Sequence, residues 1–177
     1  IAGLMCSAII SDTLLFRSPT CTPMDVEAAK RLAVIAGIEC ESYAREMFAA
    51  GSDLQARTPE EIFYQDFKQF EFGDWNIGIG QITSMSSEEL GHIKQRLMPY
   101  MEQVFAKHDA DMVFFMLTDI LSESSELLCY GKGAAELIQE AFGQKVVQNS
   151  ALLPGVVSRK KQLVPSFMAA INRMTMV

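Results

Sequence analysis

The sequence has 177 residues, 49% of them hydrophobic and 21% charged, which suits a folded chain of one ordinary domain or one domain plus part of another and argues against disorder. No apolar run approaches the ~18–20 residues of a membrane span, and a net charge of −7 disfavours nucleic acid and anionic membrane surfaces as partners. Four cysteines without a C-x-x-C pair and two histidines, His92 and His108, fit neither a zinc site, a disulfide framework nor a Ser-His-Asp triad; they point to reduced thiols and a cytoplasmic location.

The chain opens on Ile1 inside an apolar stretch, Ile1–Ile10, broken by Ser7 and lacking a basic flank. This reads as neither a signal peptide nor an anchor, but as the start of a piece of a longer protein. Asp12 ends the apolar segment, where a carboxylate is placed either to hold a hard cation or to cap the next turn. Thr22-Pro23-Met24-Asp25 and Thr58-Pro59-Glu60-Glu61 are both capping-box starts with proline at the first helical position. They predict one helix from Pro23 to about Ala36, burying Val26, Leu32 and Ala33 and stopping at Gly37. A second helix spans about Glu41–Ala50. The third, from Pro59, carries Ile62 and Phe63 and has Lys68 in its last turn, where the ammonium complements the helix dipole or meets an anion.

Phe70 and Phe72, a turn at 73–76, and Ile77 and Ile79 predict a β-hairpin, with Gly78 and Gly80 leaving one face of its second strand bare for a ligand or another backbone. A helix opening at Ser86-Ser87-Glu88-Glu89 carries Leu90, Ile93, Leu97, Met101, Val104 and Phe105 on its apolar side, and Pro99 should kink or divide it. Met112–Leu117 reads as a strand covered on both faces, Glu126–Tyr130 as another strand, Ala134–Phe142 as a helix closed by Gly143, and Leu163–Met174 as a terminal helix. Interleaved helices and strands give an α/β (α+β) class with a mixed β-sheet flanked by helices.

Charge is unevenly distributed along the chain. All 22 acids fall at or before Glu140, so residues 1–140, with ten Lys and Arg, carry −12, and the remainder, with five, carries +5. Within that basic end, Ser158-Arg159-Lys160-Lys161-Gln162 lies between two apolar runs. If extended, it points Arg159 and Lys161 one way and Lys160 the other. Cations so flanked either form a solvated run or hold a local anion, for which arginine offers a bidentate grip on phosphate.

Three segments together, residues 1–22 with Ile10-Ser11-Asp12 and Ser18-Pro19-Thr20-Cys21, Phe115–Leu121, and Leu152–Gln162 with Ser-Arg-Lys-Lys-Gln, closely resemble the family II, manganese-dependent inorganic pyrophosphatases of the Asp-His-His phosphoesterase superfamily. The resemblance spans essentially the whole chain, with Arg17 where relatives often have lysine. It implies that residues 1–51 are the helical end of an N-terminal α/β metal-binding domain, 52–57 a hinge, and 58–177 the C-terminal pyrophosphate-binding domain. It further implies Asp12 as a ligand of one of two Mn²⁺ (or Co²⁺) ions that activate a water. Lys68, Arg159 and Lys160 then hold pyrophosphate, which enters with Mg²⁺, and the last two act in catalysis as the domains close. The parent is expected to be a cytoplasmic homodimer acting on neither nucleic acid nor membrane. The other metal ligands do not occur in this sequence, so the isolated chain is expected to be inactive. A short-chain polyphosphate hydrolase and a non-catalytic anion-binding module remain the alternatives.

Overall fold

The computed structural model describes residues 1–51, 54, 56–107 and 110–175, and contacts divide the chain into two units, residues 1–53 and 54–177. The linker expected at 52–57 falls in part on positions 52, 53 and 55, which lie outside the described residues, as does His108. Among the described residues no helix is long and apolar enough to cross a membrane.

The first unit is helical: α1 (Ala2–Asp12), α2 (Pro23–Ala36) and α3 (Cys40–Gly51). Its buried residues include the small Cys6, Ala29, Ala33 and Ala44 together with Ile10 and Leu15, and the Ser7 hydroxyl bonds the Tyr43 hydroxyl at 2.7 Å. The Thr22 capping box forms as expected: Thr22 Oγ1 accepts from the Asp25 N–H, and Asp25 accepts from the Thr22 N–H at 2.8 Å. Gly37 ends α2 in the left-handed region at φ 68°. Val26 and Leu32 are only half-buried, and Ala29 is the buried position that the pattern did not single out.

In the second unit, α4 (Pro59–Gln65) leads into a five-stranded sheet of β1 (Lys68–Phe72), β2 (Trp75–Ser84), β3 (Met112–Asp119), β4 (Ser124–Gly131) and β5 (Ser150–Pro154). The strand order is β1-β2-β3-β4-β5, and all neighbours are antiparallel except β2 and β3. That parallel pair needs a crossover, which α5 (Ser87–Lys107) supplies. The remaining helices are α6 (Ala134–Phe142) and α7 (Val164–Thr175).

Strand β3 explains why a continuous apolar run was needed. Met112, Phe114 and Met116 point to one face, where α6 and α7 bring Leu137, Ile138, Phe167 and Ile171. Val113, Phe115 and Leu117 point to the other, against Ile62 and Phe63 of α4 and Ile93, Leu97 and Met101 of α5. The hairpin forms in the register Lys68↔Ile79 to Phe72↔Trp75. Its glycine face is not bare. A Cβ at Gly78 would lie 2.5 Å from the Phe67 ring, and one at Gly80 would strike the ring of Phe115. The two glycines therefore admit aromatic rings of the core, not a ligand.

Pro99 does not divide α5, which is one element of 21 residues. The bond that proline withholds would have gone to the carbonyl of Gln95, and both residues are exposed, so the break lies on the solvent face of the helix where an unpaired carbonyl is least costly.

Cys129 lies on the α6/α7 face of β4, 3% exposed, and burial pushes its thiol from 9.0 up to about 11. Because the fold favours the protonated form, the stability this provides is whole below the unfolded thiol value and is lost as pH rises through about 11. Urea melts between pH 8 and 11 are expected to show a steeper alkaline decline for the native chain than for Cys129→Ala. Equal slopes would mean that the thiol is not buried as described.

Candidate functional site

The basic segment near the carboxyl end is not extended. After β5 the chain turns at Gly155, which sits in the left-handed region at φ 75°, and Val156 accepts a hydrogen bond from the Ser125 hydroxyl of β4 at 2.7 Å. Residues Arg159–Leu163 then form a single π-helical turn. Its wide ring is closed from Leu163 N–H to the Ser158 carbonyl at 3.2 Å.

Gln162 holds this turn to the segment before it. Its Oε1 accepts from the N–H groups of Val157 and Ser158 at 2.9 and 3.0 Å, and its Nε2 donates to the Gly155 carbonyl at 2.7 Å. Ser158 caps the turn by accepting from Lys161 N–H. The result differs from the alternation of an extended strand: Arg159 faces inward, whereas Lys160 and Lys161 are both exposed.

Arg159 is 6% exposed. A guanidinium so placed is costly unless its donors are met. Nη1 donates to the Asp66 carbonyl at 2.5 Å and to the Ile79 carbonyl at 2.9 Å, and Nη2 donates to Asp66 Oδ1 at 2.7 Å.

These partners also locate Lys68. It is not in the last turn of α4, which ends at Gln65 with Asp66 as its cap. Lys68 instead begins β1, exposed, directly opposite Ile79. Arg159 thus bonds both the residue two before Lys68 and the register partner of Lys68, which ties the turn bearing Arg159 and Lys160 to the start of β1. The approach to Lys68 is set by α4, whose capping box holds: Thr58 N–H donates to Glu61 Oε2 at 2.8 Å, and the bonds from Thr58 keep the Glu61 carboxyl below its ordinary range.

Asp12 lies in the first unit, at the exposed end of α1. The backbone beyond it is unusual. Leu14, Leu15 and Phe16 are consecutive left-handed residues at φ 49°, 52° and 67°, and each carries the steric cost of a non-glycine residue there. Thr13 holds the turn, donating to the Ile9 carbonyl at 2.7 Å and accepting from Phe16 N–H at 3.2 Å. The Thr20 hydroxyl reaches the Asp12 carbonyl at 3.4 Å. Among the described residues no group of three or more His, Cys, Asp or Glu is placed to hold a metal ion. Asp12 can offer one ligand, and these residues do not fit a manganese pair by themselves.

Asp66 and the Ile79 carbonyl were not singled out from the sequence, and Gln162 was named only as the end of the basic segment, without the bonds it makes. One signal pointed towards Asp66. No acid follows Glu140, so a carboxylate partner for a buried Arg159 had to come from upstream. A cleft of about 370 Å³ at the carboxyl end of β3 is lined by Ser87, Leu90, Leu117, Asp119, Glu126 and Leu152 among others. Its lining includes none of Lys68, Arg159 and Lys160.

Residues 45–170 match the DHHA2 domain. The chain belongs to the DHHA2 domain family. Its DHHA2 match begins within α3 and runs into α7. The chain is 46% identical over 165 residues to the manganese-dependent inorganic pyrophosphatase of Bacillus subtilis, covering 93% of this chain and 53% of that protein. It is also 46% identical over 164 residues to the cobalt-dependent inorganic pyrophosphatase of Clostridium perfringens, covering 93% of this chain and 30% of that one. The crystal structure of a Methanococcus jannaschii putative family II inorganic pyrophosphatase superposes with a TM-score of 0.83 at 44% identity, over 97% of this chain and 55% of that one. This DHHA2 protein therefore spans about half the length, or less, of the relatives it matches.

Proposed function

We propose that this chain supplies the pyrophosphate-gripping part of a metal-dependent inorganic pyrophosphatase, with Lys68, Arg159 and Lys160 as its substrate contacts. One observation carries the reading: the inward Arg159 joins the π-helical turn that also bears Lys160 to the start of β1, where Lys68 stands, on a chain with a net charge of −7. The names of the relatives support pyrophosphate as the anion and manganese or cobalt as the metal; Mg²⁺ accompanying the substrate is part of the proposal alone.

In this role Arg159 and Lys160 are the catalytic cations. They neutralise charge on the phosphoryl groups, and do so most strongly where charge builds up on the transferring group. Lys68, a flexible point charge at the strand start, steadies the other phosphoryl group. Residues 58–177 would form the pyrophosphate-binding domain and 1–51 the end of a metal-binding domain with Asp12 as one ligand, joined by a hinge at 52–57; the division near residue 53 supports this. A homodimeric, cytoplasmic parent belongs to the same proposal, and free thiols at Cys6, Cys21, Cys40 and Cys129 are in keeping with it.

Two measurements on the purified 177-residue chain test the reading. Titration calorimetry with magnesium pyrophosphate is expected to show binding that Lys160→Ala weakens, and absence of binding at millimolar ligand would sink it. Incubation with Mn²⁺ and pyrophosphate is expected to release no phosphate, because the chain offers no complete ligand set among its described residues. Turnover there would show that the metal centre has been wrongly placed.

A further inference from the structure

An arginine has five N–H donors, and the three bonds to Asp66 and Ile79 use both N–H groups of Nη1 and one of Nη2. What remains is Nε–H and the second N–H of Nη2, which lie on the same side of the guanidinium and run parallel. Among the described residues no buried side-chain nitrogen or oxygen lacks a partner. The Nε of Arg159, which none of these bonds engages, therefore reaches the surface even though the residue is 6% exposed. Two parallel donors on one edge match two oxygens of a phosphoryl group.

We propose that Asp66 is a positioning residue, whose carbonyl and Oδ1 take the end of the Arg159 guanidinium so that its Nε–H and Nη2–H edge is presented to a phosphoryl group. The proposal rests on the pyrophosphate-binding role of Arg159 given above. Asp66 is suited to the task by its place. It caps α4 at φ −142° and ψ 60°, so one residue offers a main-chain and a side-chain acceptor to the same guanidinium. Its own side chain is 49% exposed, and a carboxylate so wet is not there to neutralise a buried charge at any cost; a water could take its place. Its particular contribution is direction. A free guanidinium turns about its last torsions, whereas one pinned at both Nη atoms holds its plane, and binding then loses less conformational freedom.

Magnesium pyrophosphate titrated into the full chain separates the possibilities. Asp66→Ala is expected to weaken binding about tenfold, the scale for losing a hydrogen bond to a charged group. Asp66→Asn, which keeps an oxygen acceptor at the same position, is expected to stay within about threefold of the native affinity. In an Arg159→Ala background, Asp66→Ala is expected to have no further effect. Thermal melts of each variant verify that it is folded.

If Arg159→Ala binds as tightly as the native chain, the pyrophosphate reading itself fails. If Arg159→Ala weakens binding but Asp66→Ala does not, only the positioning role fails. The positioning role also fails if Asp66→Ala costs equally with and without Arg159, or if the asparagine loses as much as the alanine, since then charge and not direction is what matters.

Discussion

Turnover falling about 10²–10³-fold is the expected result of Arg159→Ala in a complete pyrophosphatase that carries this chain, the scale for removing one preorganised stabiliser of developing charge. The loss should fall on kcat as well as on kcat/KM, because the interaction strengthens as charge moves onto the transferring group. Folding is affected less. The variant loses three hydrogen bonds, but the Asp66 carboxylate it abandons is 49% exposed and can be hydrated, so we expect about 1–2 kcal/mol. Arg159→Lys keeps the charge but cannot span Asp66, Ile79 and a ligand together, and should fall between the two. Steady-state kinetics beside urea melts would decide. Near-native turnover in a folded Arg159→Ala enzyme would remove Arg159 from the mechanism.

The second large effect concerns stability and lies at the opposite end of β3 from Asp119. Gly131 closes β4 opposite Met112 at φ 116°, where a side chain is strained. A Cβ there would collide with the Asp111 carbonyl and lie 2.8 Å from the Met112 Cα. Both are backbone atoms at the start of the strand that organises the two cores, and neither can step aside as a side chain can. Gly131→Ala is expected to cost about 3 kcal/mol or more, from strain and overpacking together. Gly91 makes a suitable contrast. It lies within α5 with nothing within 4 Å of an added Cβ, so Gly91→Ala should raise stability by about 0.5–1 kcal/mol. Urea midpoints that moved equally in both variants would show that backbone crowding at Gly131 is not the cause.

What was legible in the sequence was what short-range chemistry determines. Two Thr-Pro starts gave helices because a hydroxyl, a proline and a carboxylate at fixed spacing satisfy the first N–H groups whatever lies elsewhere. Met112–Leu117 gave a doubly covered strand because only burial on both faces explains six apolar residues in a row. Gly143 marked the end of α6, at φ 68°.

The site was only half legible. Lys68 and Arg159 were picked out as cations, but their setting depends on partners far away in sequence. The helix through Ile62 and Phe63 stops at Gln65 because β1 must start opposite Ile79, a tertiary demand with no local sign. Likewise Ser158–Gln162 has no periodicity to declare a π-helical turn. The turn follows from Gln162 reaching back to residues 155–158 and from the acceptors that Asp66 and Ile79 offer. Gly78 and Gly80 were read as open ground because the rings that fill it, Phe67 and Phe115, belong to other segments.

The reach of Arg159 has a consequence for biosynthesis. Its bonds to Asp66 and Ile79 close loops of 93 and 80 residues. On the ribosome, a chain long enough to have built β1 through β4 still has no anchored guanidinium, and acquires one only once the turn after β5 has emerged. The setting of this arginine is therefore among the last parts of the second unit to be completed as the chain is made, after all five strands.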